Sequence, residues 1–138
     1  MFRLAAAFMC LTLAGCGSAP ARESKNVDPG ADVQLAPGET VTVSGAELNV
    51  RFVAVGDDSR CPRDVTCMWA GEVKVRLDIG EGSKPIRSVE IAEGGNAEVG
   101  AWRVTVVRVE PQPVSTAKIA AGDYRVTLSM SNAQDRAR

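Results

Sequence analysis

Histidine is missing from all 138 residues. Without an imidazole, acid–base chemistry near neutral pH must rest on carboxylates, Lys or Tyr. A zinc site would likewise be left half empty, with only thiolates to draw on. Aromatic residues make up 4% of the chain, so aliphatic side chains have to fill the core. Charge of either sign is not in excess: the formal net charge is -1, which excludes the basic surplus of a nucleic-acid binder and gives little long-range steering. Long apolar runs are also lacking. The longest, Leu4 to Ala14, falls short of the roughly 18 residues of a permanent membrane helix. No phosphate-cradling glycine loop appears, because Gly80-Glu81-Gly82 and Gly94-Gly95 sit between strand-like segments and not ahead of helices.

What is present begins with an address. Met1-Phe2-Arg3 supplies a short positive region, the apolar run follows, and Leu13-Ala14-Gly15-Cys16 places small residues directly before a cysteine. This order resembles the signal and lipobox of bacterial lipoproteins. The resemblance implies that residues 1–15 are removed and that the Cys16 thiol is diacylglycerated. The new amino group would then take a fatty acid such as palmitate. Cys10 follows the bulky Phe8 and Met9 and reads as part of the discarded region. Each buried methylene contributes about 0.8 kcal/mol, so several acyl chains anchor a protein firmly without spanning the bilayer. Gly17, not Asp, follows the modified cysteine. By the family's sorting rules this favours the outer membrane, facing the periplasm, in a two-membrane cell.

Residues 16–31 are rich in Ser, Ala, Pro, Gly and charge and read as a flexible tether. From Asp32 to Met130 the pattern turns to period two, the mark of half-buried strands. Leu48, Val50, Phe52 and Ala54 share one face with Ala46, opposite Glu47, Asn49 and Arg51. Val73, Val75, Leu77 and Ile79 alternate with Lys74, Arg76 and Asp78. Trp102, Val104 and Val106 give way to Val107 and Val109, a phase change that predicts a β-bulge. Pro111 and Pro113 stop that strand, Ser115 to Ala121 suggests one helical turn, and Tyr124 to Met130 forms the last strand. Residues 131–138 read as a frayed tail. About seven short strands and no amphipathic helix predict one all-β domain, an immunoglobulin-like sandwich or small barrel, with the sandwich favoured.

Between two of the strands lies Asp58-Ser59-Arg60-Cys61-Pro62-Arg63-Asp64-Val65-Thr66-Cys67-Met68-Trp69-Ala70-Gly71. In an exported, oxidised domain Cys61 and Cys67 are expected to form a structural disulfide. Five residues between thiols, flanked by strands, do not make a thioredoxin-like redox motif. Asp57, Asp58 and Asp64 crowd the loop without the ligand order of a calcium site. Asp58 is expected to accept backbone N–H bonds and to pair with Arg60 or Arg63. Trp69 reads as a lid over the disulfide before it reads as a ligand platform.

The string Asp58-Ser59-Arg60-Cys61-Pro62, then Cys67, then Trp69-Ala70-Gly71-Glu72 resembles a loop of small exported bacterial proteins lacking an assigned activity. Pro37-Gly38-Glu39, Val109 to Pro113 and Asp123-Tyr124 extend the likeness across most of the mature chain. It implies a β domain with a disulfide and carries no function with it.

No catalytic set emerges. Carboxylate pairs such as Asp57/Asp58 and Glu90/Glu93 have no assigned cleft, and Ser59 lacks a base. The chain is expected not to be an enzyme and to need no cofactor or metal. The leading expectation is a lipid-anchored binding or structural accessory of the cell envelope. Its partner would be an envelope protein or polymer, and its contact loop would be centred on Arg60, Asp64 and Trp69. An inhibitor presenting the rigid cysteine loop to an envelope or secreted hydrolase is the second expectation.

Overall fold

The computed structural model describes residues 24–134. The signal segment, Cys16, the first part of the expected tether and the end of the tail lie outside the described residues. Among the described residues nine strands form two sheets: β1 (Ser24–Val27), β2 (Asp32–Leu35), β3 (Thr40–Val43), β4 (Leu48–Asp58), β5 (Val73–Glu81), β6 (Arg87–Ala92), β7 (Asn96–Val99), β8 (Trp102–Glu110) and β9 (Arg125–Asn132). One sheet has the order β1-β3-β4-β5-β6, the other β2-β9-β8-β7. The fold is therefore a two-sheet β-sandwich, not a closed barrel.

Period-two alternation builds it. Leu48, Val50 and Phe52 on β4, Val75 and Leu77 on β5, and Leu128 on β9 are fully buried, and their neighbours along each strand point outward. β3 to β6 run as one antiparallel meander and β7 to β9 as another, joined by short turns except at the long β4–β5 and β8–β9 connections. β1 is the exception: it pairs parallel to β3, and the chain reaches β3 only after crossing to the other sheet as β2. Gly30, at φ 82°, makes the first of those crossings and donates its N–H to the Met130 carbonyl.

Several elements differ from expectation. The described residues hold nine strands where about seven were expected. The first begins at Ser24, inside the stretch expected as tether, because Val27 reaches the core and β3 offers its free edge. The phase change in β8 is a bulge between Val106 and Arg108, but Val107 is its outward residue while Val109 is buried. A register shift after Phe52 turns β4 so that Val55, not Ala54, packs on the core. The expected turn at Ser115–Ala121 is an isolated bridge between Val114 and Ala117 followed by a 3-10 turn at Ala121–Asp123. β9 runs on to Asn132, where Trp102 faces it, two residues into the stretch expected as tail.

Candidate functional site: the cysteine-loop pole

β4 ends at Asp58 and β5 starts at Val73. Between them residues 59–72 leave the sheet as a loop whose stems remain paired. Ser59 N donates to the Glu72 carbonyl at 2.8 Å, and Cys61 N to the Ala70 carbonyl at 3.1 Å. The Ser59 hydroxyl accepts from Glu72 N at 3.1 Å. Gly71 makes this closure possible. It sits at φ +66°, and a Cβ there would lie 1.8 Å from the Ser59 carbonyl oxygen, so no other residue fits. Cys61 and Cys67 close the tip as a disulfide with Cα atoms 6.0 Å apart.

A second set of bonds ties the loop to the β8–β9 connector. Arg63 N donates to the Pro113 carbonyl at 3.0 Å. Asp64 accepts from Ser115 twice, from its N–H at 2.8 Å and from its hydroxyl. Those two bonds, the hydroxyl's first, hold the Asp64 carboxyl below the usual carboxylate range.

Beneath the loop lies Arg60, with only 9% of its side chain exposed. Its Nε donates to Asp58 Oδ1 at 2.8 Å and its Nη2 to Asp58 Oδ2 at 2.7 Å. This is the two-pronged geometry a guanidinium offers a carboxylate. Nη1 donates to the Val109 carbonyl at 2.8 Å and Nη2 to the Pro111 carbonyl at 3.1 Å. Glu93, in the β6–β7 turn, stands 3.6 Å from Nη1. Tyr124 completes the group by donating its phenol to Asp58 Oδ2 at 2.9 Å.

The electrostatics follow from those contacts. Arg60 holds the Asp58 carboxyl below its ordinary value, aided by the phenol and against the effect of burial. Asp58 in turn raises the Arg60 guanidinium. Burial, then the bond to Asp58, pushes the Tyr124 phenol up to about 12. Every polar group here has an internal partner, so the cluster serves as a clasp across the ends of both sheets.

The three residues expected at the contact loop thus part company. Arg60 is internal, Asp64 is committed to Ser115, and Trp69 is 82% exposed. Trp69 is not a buried lid, because Arg60 and Tyr124 already occupy the space between the sheet ends. Asp58 pairs with Arg60, not with Arg63. Met68 and Val65 share the exposure of Trp69, at 93% and 45%. Of the candidate carboxylates, Asp58 and Glu93 converge on Arg60, while Glu90 pairs with Arg76 at 3.3 Å. Among the described residues no group of three His, Cys, Asp or Glu is placed to hold a metal ion.

Sequence reasoning gave Tyr124 and Ser115 no role at this loop, and it paired Glu93 with Glu90 and not with Arg60. The segments Val109 to Pro113 and Asp123-Tyr124 are brought together here: the first meets Arg60 and the second Asp58. Beside the clasp, an open groove of about 460 Å³ is lined by Val55, Tyr124 and Lys118 to Ala121. Its floor presents a phenol already bonded to Asp58.

The site and fold define a small β-sandwich with a disulfide-closed loop at one end that exposes Val65, Met68 and Trp69. No family model matches this chain, and neither a curated protein nor a solved structure matches it.

Proposed function

We propose that the protein is a lipid-anchored binding or structural accessory of the cell envelope, and that its working surface is the tip of the cysteine loop. The observation that carries this reading is the exposure of Val65, Met68 and Trp69 on a loop fixed by a disulfide, a paired stem and a half-buried ion pair. Large side chains left in water on a mobile loop would lose ordering entropy on docking. On a pinned loop that cost is already met by folding, and exposed Trp is the residue type that most often anchors an interface. The contact set is therefore Val65, Met68 and Trp69, with Arg60 and Asp64 holding the loop in shape. An inhibitor of an envelope hydrolase would use the same tip.

Photocrosslinking in native envelopes tests this. A photoreactive residue at position 68 is expected to give a repeatable adduct, whereas one at Ile86, exposed beyond the far end of β5, is not. Equal labelling at both positions, or none at either, retires the loop as the working surface.

A further inference from the structure

β4 rises toward the cysteine loop, and β3, antiparallel to it, descends. β1 is parallel to β3 and so descends as well. The chain therefore enters the domain from the cysteine-loop side. Ser24 lies level with Thr40, and Thr40 opposes Arg51, seven residues below the top of β4 at Asp58.

The lengths then matter. Seven residues, Gly17 to Glu23, lie between Cys16 and Ser24. From Cys16 to Ser24 a fully extended chain spans at most about 29 Å. The climb from Arg51 to Asp58 spans only the five residue steps from Asp78 to Val73 on β5, because β4 bulges twice on the way, and takes up roughly 17 Å of that reach. About 12 Å is left. The paired stem of the cysteine loop, Ser59 to Cys61 against Glu72 to Ala70, itself adds about 7 Å above the top of the strand.

Given these lengths, we infer that the cysteine-loop tip docks on the bilayer that holds Cys16, with Trp69 and Met68 seated among the lipid headgroups and upper acyl chains. This rests on the lipid-anchored reading above. Residue chemistry agrees with the lengths: Trp is enriched at membrane–water interfaces, and three of the five large exposed apolar side chains among the described residues, Val65, Met68 and Trp69, sit on this one loop. The opposite end of the sandwich shows one, Ile86, near Lys84 and Glu81. Arg63 and Asp64 flank the tip with charges of both signs, so docking is expected to be apolar in origin and to survive high salt.

The test uses the full-length, natively acylated protein in vesicles of phosphatidylethanolamine and phosphatidylglycerol. Trp69 emission is read as the difference between wild type and Trp69→Phe. Trp102, at the far end of β8, stays in place and the core is undisturbed. Lipids with brominated chains are expected to quench the Trp69 signal about twofold and to leave Trp102 unchanged, as an interfacial indole requires. A water-like, unquenched Trp69 on protein whose Cys16 is acylated by mass spectrometry overturns the docking and leaves the anchor standing. An unmodified Cys16 removes both. Shielding of Trp69 in native envelopes without quenching in vesicles assigns the tip to a protein or polymer and overturns the lipid assignment.

Discussion

The phenol of Tyr124 donates a 2.9 Å hydrogen bond to Asp58 across 66 residues of sequence. Asp58 ends β4 in one sheet, and Tyr124 leads into β9 in the other. The bond therefore joins the two layers where the cysteine loop leaves them. Arg60 lies against the same carboxylate and reaches the carbonyls of Val109 and Pro111, which adds the end of β8. Together these residues fix the direction in which the loop projects.

Breaking the clasp from one side should leave a half-buried charge without its partner. Asp58→Ala and Arg60→Ala are each expected to lower the unfolding free energy by about 2 kcal/mol. Arg76→Ala, which breaks the exposed pair with Glu90, is expected to cost less than about 1 kcal/mol. The Asp58/Arg60 double variant should cost less than the sum of the single changes. Denaturant unfolding of the four variants checks the order, and additive Asp58 and Arg60 effects would contradict a coupled clasp.

The same cluster sets a pH dependence at both extremes. Asp58 has a folded pKa below its unfolded value, so its contribution is complete above about pH 4 and is lost as pH falls through the lowered value. Tyr124 has a folded pKa raised from 10.0 to about 12. Its contribution is complete below the unfolded value and is lost as pH rises from there toward the folded one. A decline on the order of 2 kcal/mol is expected across that alkaline window. Tyr124→Phe should flatten it, and Asp58→Asn should flatten the acid limb, in unfolding curves taken across pH.

Gly71 and Gly94 separate two causes of glycine dependence. Both have positive φ, but an added Cβ at Gly94 meets nothing within 4 Å, whereas at Gly71 it meets Ser59 backbone. Gly94→Ala is expected to cost about 1 kcal/mol from conformation alone. Gly71→Ala adds a collision that only a backbone shift relieves, and should cost at least about twice as much. It should also loosen the loop stem, with faster hydrogen exchange at the Ser59 and Cys61 amides.

Replacing both Cys61 and Cys67 by Ser is expected to destabilise the domain by about 2 kcal/mol through loop-closure entropy. The sandwich should persist, because the pair is six residues apart in sequence and closes only the tip. Far-UV circular dichroism should therefore be unchanged while the unfolding midpoint falls. Collapse of the β signal would show that the bridge holds the sheets themselves.

The strands and the bridge were legible in the chain. Period-two alternation over Leu48–Phe52 and Val73–Ile79 specifies which faces are buried before any partner is known, since side chains on a strand alternate by geometry. Cys61 and Cys67, set between two strand patterns in a chain with no histidine to complete a metal site, pointed to a disulfide by chemical scarcity. Local pattern was also enough to place a bulge in β8, though it took the pairing with β9 to show that Val107 is the residue turned out. The lone strand at Ser24–Val27 stayed hidden, because a four-residue segment beside Pro and Gly acquires its structure from the β3 edge and not from its own sequence.

Direction and company were settled by the tertiary structure alone. Arg60 and Trp69 lie nine positions apart in one loop, and ordinary preference would send the charged residue to water and the indole inward. The reverse holds because Asp58, Glu93 and two backbone carbonyls meet the guanidinium and Tyr124 steadies Asp58, and all of these but Asp58 come from distant parts of the chain that meet only when both sheets close. Trp69 has no such company, and so it is left in solvent.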